Sequence, residues 1–239
     1  MSSTARSEAL AFHADLPLPV EIRAIRTARR LRLRVDHARG LLRLTCPPRT
    51  SRRSALAWAA EQRAWVETQI AALPPGEPLE PGRTIPLEGA EILLAWDEAA
   101  PRAPHLAGAT LLCGGPRDAF ERRIARFLKQ RALEILSRET VEIATFAGVT
   151  PRGVAVGDAD TRWGSCSAGG RIRYSWRLIL APPAARRFVV AHEVAHLVHL
   201  NHGADFKRLE ERLFDGDIAA ARALLRRVGP RLKRVGRGG

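Results

Sequence analysis

Four of the seven histidines of this chain fall within eleven residues, and from His192 the sequence reads HEVAHLVHLNH. In an α-helix His192 and His196 lie one turn apart on one face, separated by a rise of about 6 Å. Two imidazoles placed in this way can bind one zinc ion at ~2.0–2.1 Å each. The surrounding residues are nearly all apolar, and burying imidazoles and a carboxylate among them without a partner would be costly. The cluster therefore predicts a metal site on a buried helix.

Glu193 follows the first histidine, and its carboxylate can reach a water at the metal rather than the metal itself. In a His-Glu-x-x-His site the zinc lowers the pKa of that water and polarises the scissile carbonyl. The glutamate takes the proton during attack and passes it to the leaving group. The motif therefore predicts a zinc-dependent hydrolase, most simply a metallopeptidase acting on a peptide or protein, with Glu193 as the general base.

The third ligand has two candidates, His199 and His202. On a continuous helix His202 points roughly 80° away from His192, and His199 lies roughly 10 Å along the axis from it. If the helix ends at Asn201, which adopts the left-handed conformation more readily than most residues, the chain swings His202 back. Metzincins have the same spacing with glycine where this chain has His199. We favour His202 as the ligand, and we expect His199 either to support a ligand from outside the metal's own ligand set or to line the substrate pocket.

The apolar pattern divides the chain into an N-terminal β-rich part with one helix (16–108), a catalytic domain (109–230) and a basic tail (231–239). Segment 98–108, rich in alanine, proline and glycine, is the candidate linker between the first two. The first part is predicted to contain a hairpin of strands 31–35 and 41–44, a helix over 51–73, and strands over 84–87 and 90–96.

The second part is predicted to contain long helices and a few strands. An amphipathic pattern starts at residue 116 and ends at Gly148, a natural helix end. Strong alternation over 171–180 predicts an edge strand near the histidine helix, which an extended substrate could pair with. The remaining predicted elements are a strand over 153–156, helices over 184–200 and 215–228, and a frayed basic segment over 229–239.

Aromatic residues near this strand are candidates for substrate contact. The small residues after Trp163 predict a tight backbone near the active-site strand, with a turn over 167–170. Trp163 and Tyr174 could line the substrate pocket, or they could simply be core aromatics. Tyr174 or a nearby arginine is also a candidate for stabilising the transition state. Cys166 is interpreted as structural, or as a thiol near the metal.

The chain resembles the YgjP-like metallopeptidase domain, which is related to the SprT-like zincins, in four segments: 163–167, 177–182, 192–197 and 201–206. The resemblance extends from the predicted hairpin through Arg227. It implies an α+β, zincin-like fold with a small β-rich N-terminal part, the metal ligands His192, His196 and His202, and Glu193 as the catalytic residue. The chain departs from the family pattern at Lys207, where tryptophan is usual, and at Ser175, where asparagine is common.

The formal charge of +14 has two interpretations. Nearly all basic residues are arginines spread along the chain, which is typical of composition bias; attraction to nucleic acid is the alternative. The basic tail motivates one competing hypothesis, a nucleic-acid-associated protein with a vestigial metal site. A second comes from the resemblance, since members of the family are also labelled nucleoside triphosphate pyrophosphohydrolases. No Gly-x-x-x-x-Gly-Lys loop is present to cradle a nucleotide.

Other sequence features concern the compartment. No stretch approaches 18 uncharged apolar residues, and the N-terminus lacks the pattern of a secretory signal, so we expect no membrane association. The three cysteines are odd in number and far apart, which is typical neither of a disulfide framework nor of a Cys-x-x-Cys metal site. We therefore expect a cytoplasmic location.

Overall fold

Six α-helices and three small mixed sheets make up the described part of the chain, residues 10–36, 40–72, 75–159 and 162–238 of a computed structural model. The fold is α+β, as predicted. The chain divides into two units, Met1–Leu73 and Pro74–Gly239. The predicted boundary at residue 108 is therefore replaced by one at residue 73.

The first unit contains a three-stranded sheet and two helices. The predicted hairpin is confirmed by the antiparallel pair β2 (Arg32–Asp36) and β3 (Leu41–Cys46), and β1 (Val20–Ala24) pairs parallel with the other side of β3. The predicted helix over 51–73 is two helices, α1 (Arg52–Glu61) and α2 (Arg63–Ala71). They separate at Gln62, whose φ of −89° and ψ of 11° depart from helical geometry.

The second unit begins with a four-stranded sheet of order β4-β5-β7-β6. The strands β4 (Thr84–Leu87) and β5 (Ala90–Trp96) have the predicted bounds. The candidate linker 98–108 instead contains β6 (His105–Ala107), which pairs with β7 (Thr110–Cys113). Because β7 also pairs with β5, hydrogen-bonded strands lie on both sides of residue 108, and it cannot be a domain boundary.

The second sheet of this unit has the order β8-β10-β9, from β8 (Gly153–Gly157), β9 (Gly164–Cys166) and β10 (Arg171–Ser175). The strand predicted over 171–180 was wrong in two respects. Its second half, Trp176–Leu180, is a buried 3₁₀ helix whose apolar residues mimic strand alternation. Its first half is the central strand, so the edge nearest the histidine helix is β9, which packs against it.

Four helices complete the unit: α3 (Phe120–Phe146), α4 (Pro183–Val198), α5 (Ala204–Leu213) and α6 (Ile218–Leu232). The long helix ending near Gly148 is confirmed, whereas α5 was not predicted. Helices α3 and α4 pack together in the core, where Arg186 Nη2 lies 2.8 Å from Glu139 Oε1, both side chains being almost fully buried. Within the described ranges, no helix combines the length and apolar character that a membrane span requires.

The C-terminal segment is part of the folded unit up to residue 238. The frayed tail predicted over 229–239 was wrong, because α6 extends to Leu232 and Val235 is fully buried. Val235 forms a bridge with Glu77, and its carbonyl accepts a 2.8 Å hydrogen bond from Arg177 Nε. Backbone pairing and burial together hold this segment against the unit.

Candidate metal centre

Helix α4 carries the first two histidines of the cluster, and the chain brings the third back towards them. His192 and His196 lie one turn apart, and their ring centroids are 4.9 Å apart. The ring of His202 stands 5.1 Å from that of His192 and 4.7 Å from that of His196. Each of the three offers one nitrogen, and these nitrogens all lie within 4.8 Å of one another. The predicted convergence of three imidazoles is therefore present.

The turn that returns His202 differs from the predicted one. Helix α4 ends at Val198, and His199 adopts an extended conformation with φ of −124° and ψ of 110°. Glu88 is the one non-glycine residue with positive φ in the described chain, so Asn201 is not left-handed. Its side chain instead accepts a 3.2 Å hydrogen bond from the Gly203 N–H. The helix thus ends earlier, and extended backbone rather than a left-handed cap redirects the chain.

Hydrogen bonds orient two of the rings. His192 Nδ1 lies 2.6 Å from Glu210 Oε1, and the other oxygen of Glu210 accepts a 2.8 Å hydrogen bond from Arg222 Nη2. His196 Nδ1 lies 3.0 Å from the carbonyl oxygen of His199. With Nδ1 donating to an oxygen, the lone pair of each ring is on Nε2. Both rings therefore present Nε2 as the available ligand atom.

Packing fixes the positions of the three rings, and burial favours the neutral form of His192. The buried ring of Phe206 lies 4.6–5.1 Å, centroid to centroid, from each of the three histidine rings. Burial lowers the pKa of His192, although the nearby Glu210 carboxylate acts in the opposite direction. A neutral ring is the form that binds a metal.

The distance between two of the nitrogens matches that of two ligands on one ion. Two ligands at ~2.0–2.1 Å from one metal in tetrahedral geometry are separated by about 3.3 Å. The Nε2 atoms of His192 and His202 are 3.3 Å apart. The three residues present therefore fit a metal ion that takes imidazole ligands.

Glu193 supplies a second buried carboxylate beside this centre, and the residue is only 5% exposed. Burial raises the pKa of Glu193 to about 7, while Arg162 and a backbone hydrogen bond from Cys166 act to lower it. A β-carbon at Gly164 would stand 2.5 Å from Glu193 Oε1. The carboxylate thus lies directly against β9, and the predicted tight backbone after Trp163 is the surface that accommodates it.

The other predicted site residues occupy different positions. Tyr174 is fully buried, and its hydroxyl lies 3.0 Å from Thr140 Oγ1, so a substrate cannot reach it and its predicted contact with substrate was wrong. Trp163 is half-buried; a β-carbon on Gly229 of α6 would lie 3.3 Å from its ring, and Lys233 Nζ lies 5.2 Å from the ring centroid. His199 stays outside the three-nitrogen group and contributes its carbonyl oxygen.

Glu210 and Arg222 were missed from the sequence. Glu210 lies on α5, which packs against α4. Its one sequence indication is its position four residues after Phe206, which places both side chains on the same face of a helix. Without knowing that α5 existed, this spacing had no meaning.

Comparison with known proteins agrees with this geometry. Residues 29–227 match the family model described as YgjP-like, metallopeptidase domain. Neither the curated proteins nor the solved structures contain a match to the chain. An α+β fold with three converging histidines beside a buried glutamate defines a zincin-like metallopeptidase domain. The chain belongs to the YgjP-like family of such domains.

Proposed function

We propose that this protein is a zinc-dependent peptidase. The observation that carries the proposal is the convergence of His192, His196 and His202 beside the buried carboxylate of Glu193. A structural histidine cluster would not require a carboxylate buried on the same helix, and burying one without a chemical role is costly. The membership in a metallopeptidase family supports the same reading.

Zinc is the metal that best suits this donor set. Three imidazole nitrogens with no thiolate in the group are typical of catalytic zinc sites, which keep a fourth position open for the reaction. The hydrogen bond from His192 to Glu210 matches the carboxylate–histidine pairs that orient zinc ligands. When bound, zinc acts as a Lewis acid that polarises a carbonyl and lowers the pKa of a water.

Glu193 is the group that moves protons. We assign it to accept a proton on its carboxylate from the attacking water and to deliver that proton to the leaving nitrogen of the scissile bond. Its position against Gly164 fixes the carboxylate beside β9. Arg162, whose charge acts on the Glu193 carboxylate, stabilises its ionised form before the proton is transferred.

The edge strand β9 is the proposed docking site for substrate. In the order β8-β10-β9 it has one paired side, to β10, and it packs against α4. An extended peptide can add to such an edge through backbone hydrogen bonds. This would place a peptide bond next to the three histidines without requiring a particular side chain from the substrate.

The protein is proposed to act in the cytoplasm. Within the described residues, Cys46, Cys113 and Cys166 form no disulfide, and thiols persist in reducing compartments. Fractionation of cells carrying the tagged protein tests the location, and recovery in an extracytoplasmic fraction would contradict it.

Metal content and turnover, measured on the same preparation, test the function. We expect near-stoichiometric zinc and cleavage of casein or a peptide library. Glu193→Gln should keep the zinc and lose activity by about 10²–10⁴-fold. Zinc should fall in His202→Ala and persist in the matched variant His199→Ala, because His199 lies outside the ligand group.

Three results would overturn the proposal. Absence of bound zinc would rule out a zinc-dependent hydrolase of any kind. Full activity in Glu193→Gln would show that Glu193 is not the general base. Release of pyrophosphate from nucleoside triphosphates without any peptide cleavage would show that the protein is a nucleotide hydrolase and not a peptidase.

A further inference from the structure

The first unit carries an unusual excess of arginine. Its described residues, 10–36 and 40–72, contain eleven arginines, no lysine and five acidic residues. The acidic residues are largely engaged: Glu21 and Asp36 pair with Arg43, and Glu67 pairs with Arg63. Within these described ranges, the remaining arginines that form no ion pair include Arg26, Arg29, Arg30, Arg32 and Arg34.

Four of these arginines line two adjoining surface depressions. One part, with a volume of about 500 Å³, is lined by Arg29, Arg30 and Arg32 together with Thr27 and Thr45 and nearby apolar residues. A second part, of about 380 Å³, is lined by Arg30, Arg32 and Arg34 with Trp58, Gln62 and Trp65 among its other residues. Arg30 and Arg32 line both parts, so the two depressions adjoin, and together we call them the arginine groove.

The guanidinium groups of the arginine groove are available to a ligand. Arg29, Arg30, Arg32 and Arg34 are all exposed. Across the described residues, no side-chain hydrogen bond or ion pair engages any of the four. Arg32 and Arg34 project from β2, which is an edge strand of its sheet. Charge on an edge strand discourages pairing with other chains, but that role does not call for tryptophans in the same groove.

The two tryptophans distinguish the groove from a merely solvated basic face. Trp65 is 41% exposed, which is high for so large an apolar side chain, and Trp58 is half-buried. Both line the part of the groove that contains Arg30, Arg32 and Arg34. Aromatic rings beside arginines can stack on nucleobases while the guanidinium groups contact phosphates.

We propose that the arginine groove binds single-stranded nucleic acid. Arginine recognises phosphate through paired hydrogen bonds, and an exposed indole offers a stacking surface to any base. In a duplex the base faces are covered by their neighbours, so Trp65 would have no base to stack on. A bilayer presents a flat surface, whereas a flexible single strand can enter a concave groove. The proposal is independent of the metal centre, because every residue of the groove belongs to the first unit.

Fluorescence anisotropy with the full-length protein tests this assignment. The probes are a labelled oligothymidylate and an oligouridylate of about twenty nucleotides, a duplex of equal length, and phosphatidylserine vesicles. We expect both single strands to bind at physiological salt, more tightly than the duplex and without binding to the vesicles. The double variant Arg32→Gln/Arg34→Gln should weaken binding and reduce the salt slope by about 1.4, which corresponds to two phosphate contacts on a single strand.

Matched variants separate local recognition from net charge. Arg49→Gln/Arg53→Gln removes the same charge from exposed positions of the same unit that do not line the groove, and it should bind nearly as the wild type. Trp65→Ala should weaken binding by roughly 5-fold or more with an unchanged salt slope, and Trp65→Phe should restore most of it. Melting temperatures show whether each variant is folded.

Several outcomes would overturn the proposal. The first is an equal loss of single-strand affinity in Arg32→Gln/Arg34→Gln and in the control Arg49→Gln/Arg53→Gln. The second is a loss of affinity in Trp65→Ala that is no larger than the loss in that control. The third is binding to the duplex as tight as binding to the single strands, or preferential binding to the vesicles. The proposal would also be overturned if neither the oligothymidylate nor the oligouridylate bound at physiological salt.

Discussion

The Nδ1 atom of His192 lies 2.6 Å from Oε1 of Glu210, although the two residues come from different helices. Arg222 holds the other carboxylate oxygen, and Glu210 is only 2% exposed. This chain of contacts orients the His192 ring so that Nε2 faces the other two histidines. The structure thus adds a positioning residue to the centre that the histidine motif does not contain.

Glu210→Gln should weaken metal binding. The amide cannot supply the negative charge that makes the His192 ring a stronger ligand, and loss of such a partner costs about 10–100-fold in metal affinity. Zinc affinity is measured by competition with a chelating dye. The neighbouring exposed residue provides the control Glu211→Gln, which should bind zinc as the wild type does. Equal affinities in the two variants would show that Glu210 does not support the ligand.

Gly164→Ala should lose turnover while keeping zinc. The added β-carbon would stand 2.5 Å from Glu193 Oε1, so the carboxylate must move. A displacement of about 1 Å at a catalytic group can cost roughly 10²-fold in rate. Steady-state cleavage and zinc content are measured together. Gly153→Ala, on β8 of the same sheet, has no atom within 4 Å of the new β-carbon and should stay active. Normal turnover in Gly164→Ala would show that Glu193 is not constrained by β9.

The ion pair Glu139–Arg186 should be important for stability. Removing the carboxylate in Glu139→Ala leaves the Arg186 charge buried without its partner, and breaking such a pair costs about 3–5 kcal/mol of unfolding free energy. Glu142 and Arg187 form an exposed pair between the same two helices, so Glu142→Ala should cost about 0–1 kcal/mol. Denaturant unfolding measures both. Similar losses of unfolding free energy in Glu139→Ala and Glu142→Ala would show that the buried pair is no more important for stability than the exposed one.

Tyr174 should stay protonated in the native protein at pH values above its ordinary pKa of 10.0. Burial raises the pKa of Tyr174 by disfavouring the phenolate. A raised pKa means that this group favours the folded state below about pH 10 and that its contribution is lost as the pH rises further. It is the single tyrosine of the chain, so tyrosinate absorbance reports on it alone. Ionisation at pH 10 without unfolding would contradict its burial.

Much of the second unit could be predicted from local patterns. The amphipathic period over α3, the strands β4 and β5 and the helical spacing of His192 and His196 all depend on residues close in sequence. The alternation over 171–180 misled the prediction, because a buried 3₁₀ helix also places large apolar residues inward. The segment 98–108 misled it too, since its strand β6 is short and held by pairing with β7.

The chemical character of the centre is a property of the local sequence. A helical spacing of His192, Glu193 and His196 suffices to place two imidazoles and a carboxylate together, because the geometry of an α-helix is the same everywhere. The return of His202, the support of His192 by Glu210 and the fit of Glu193 against Gly164 come from packing of α5 and β9 on α4. These contacts join residues that no sequence period relates, so only the folded chain decides them.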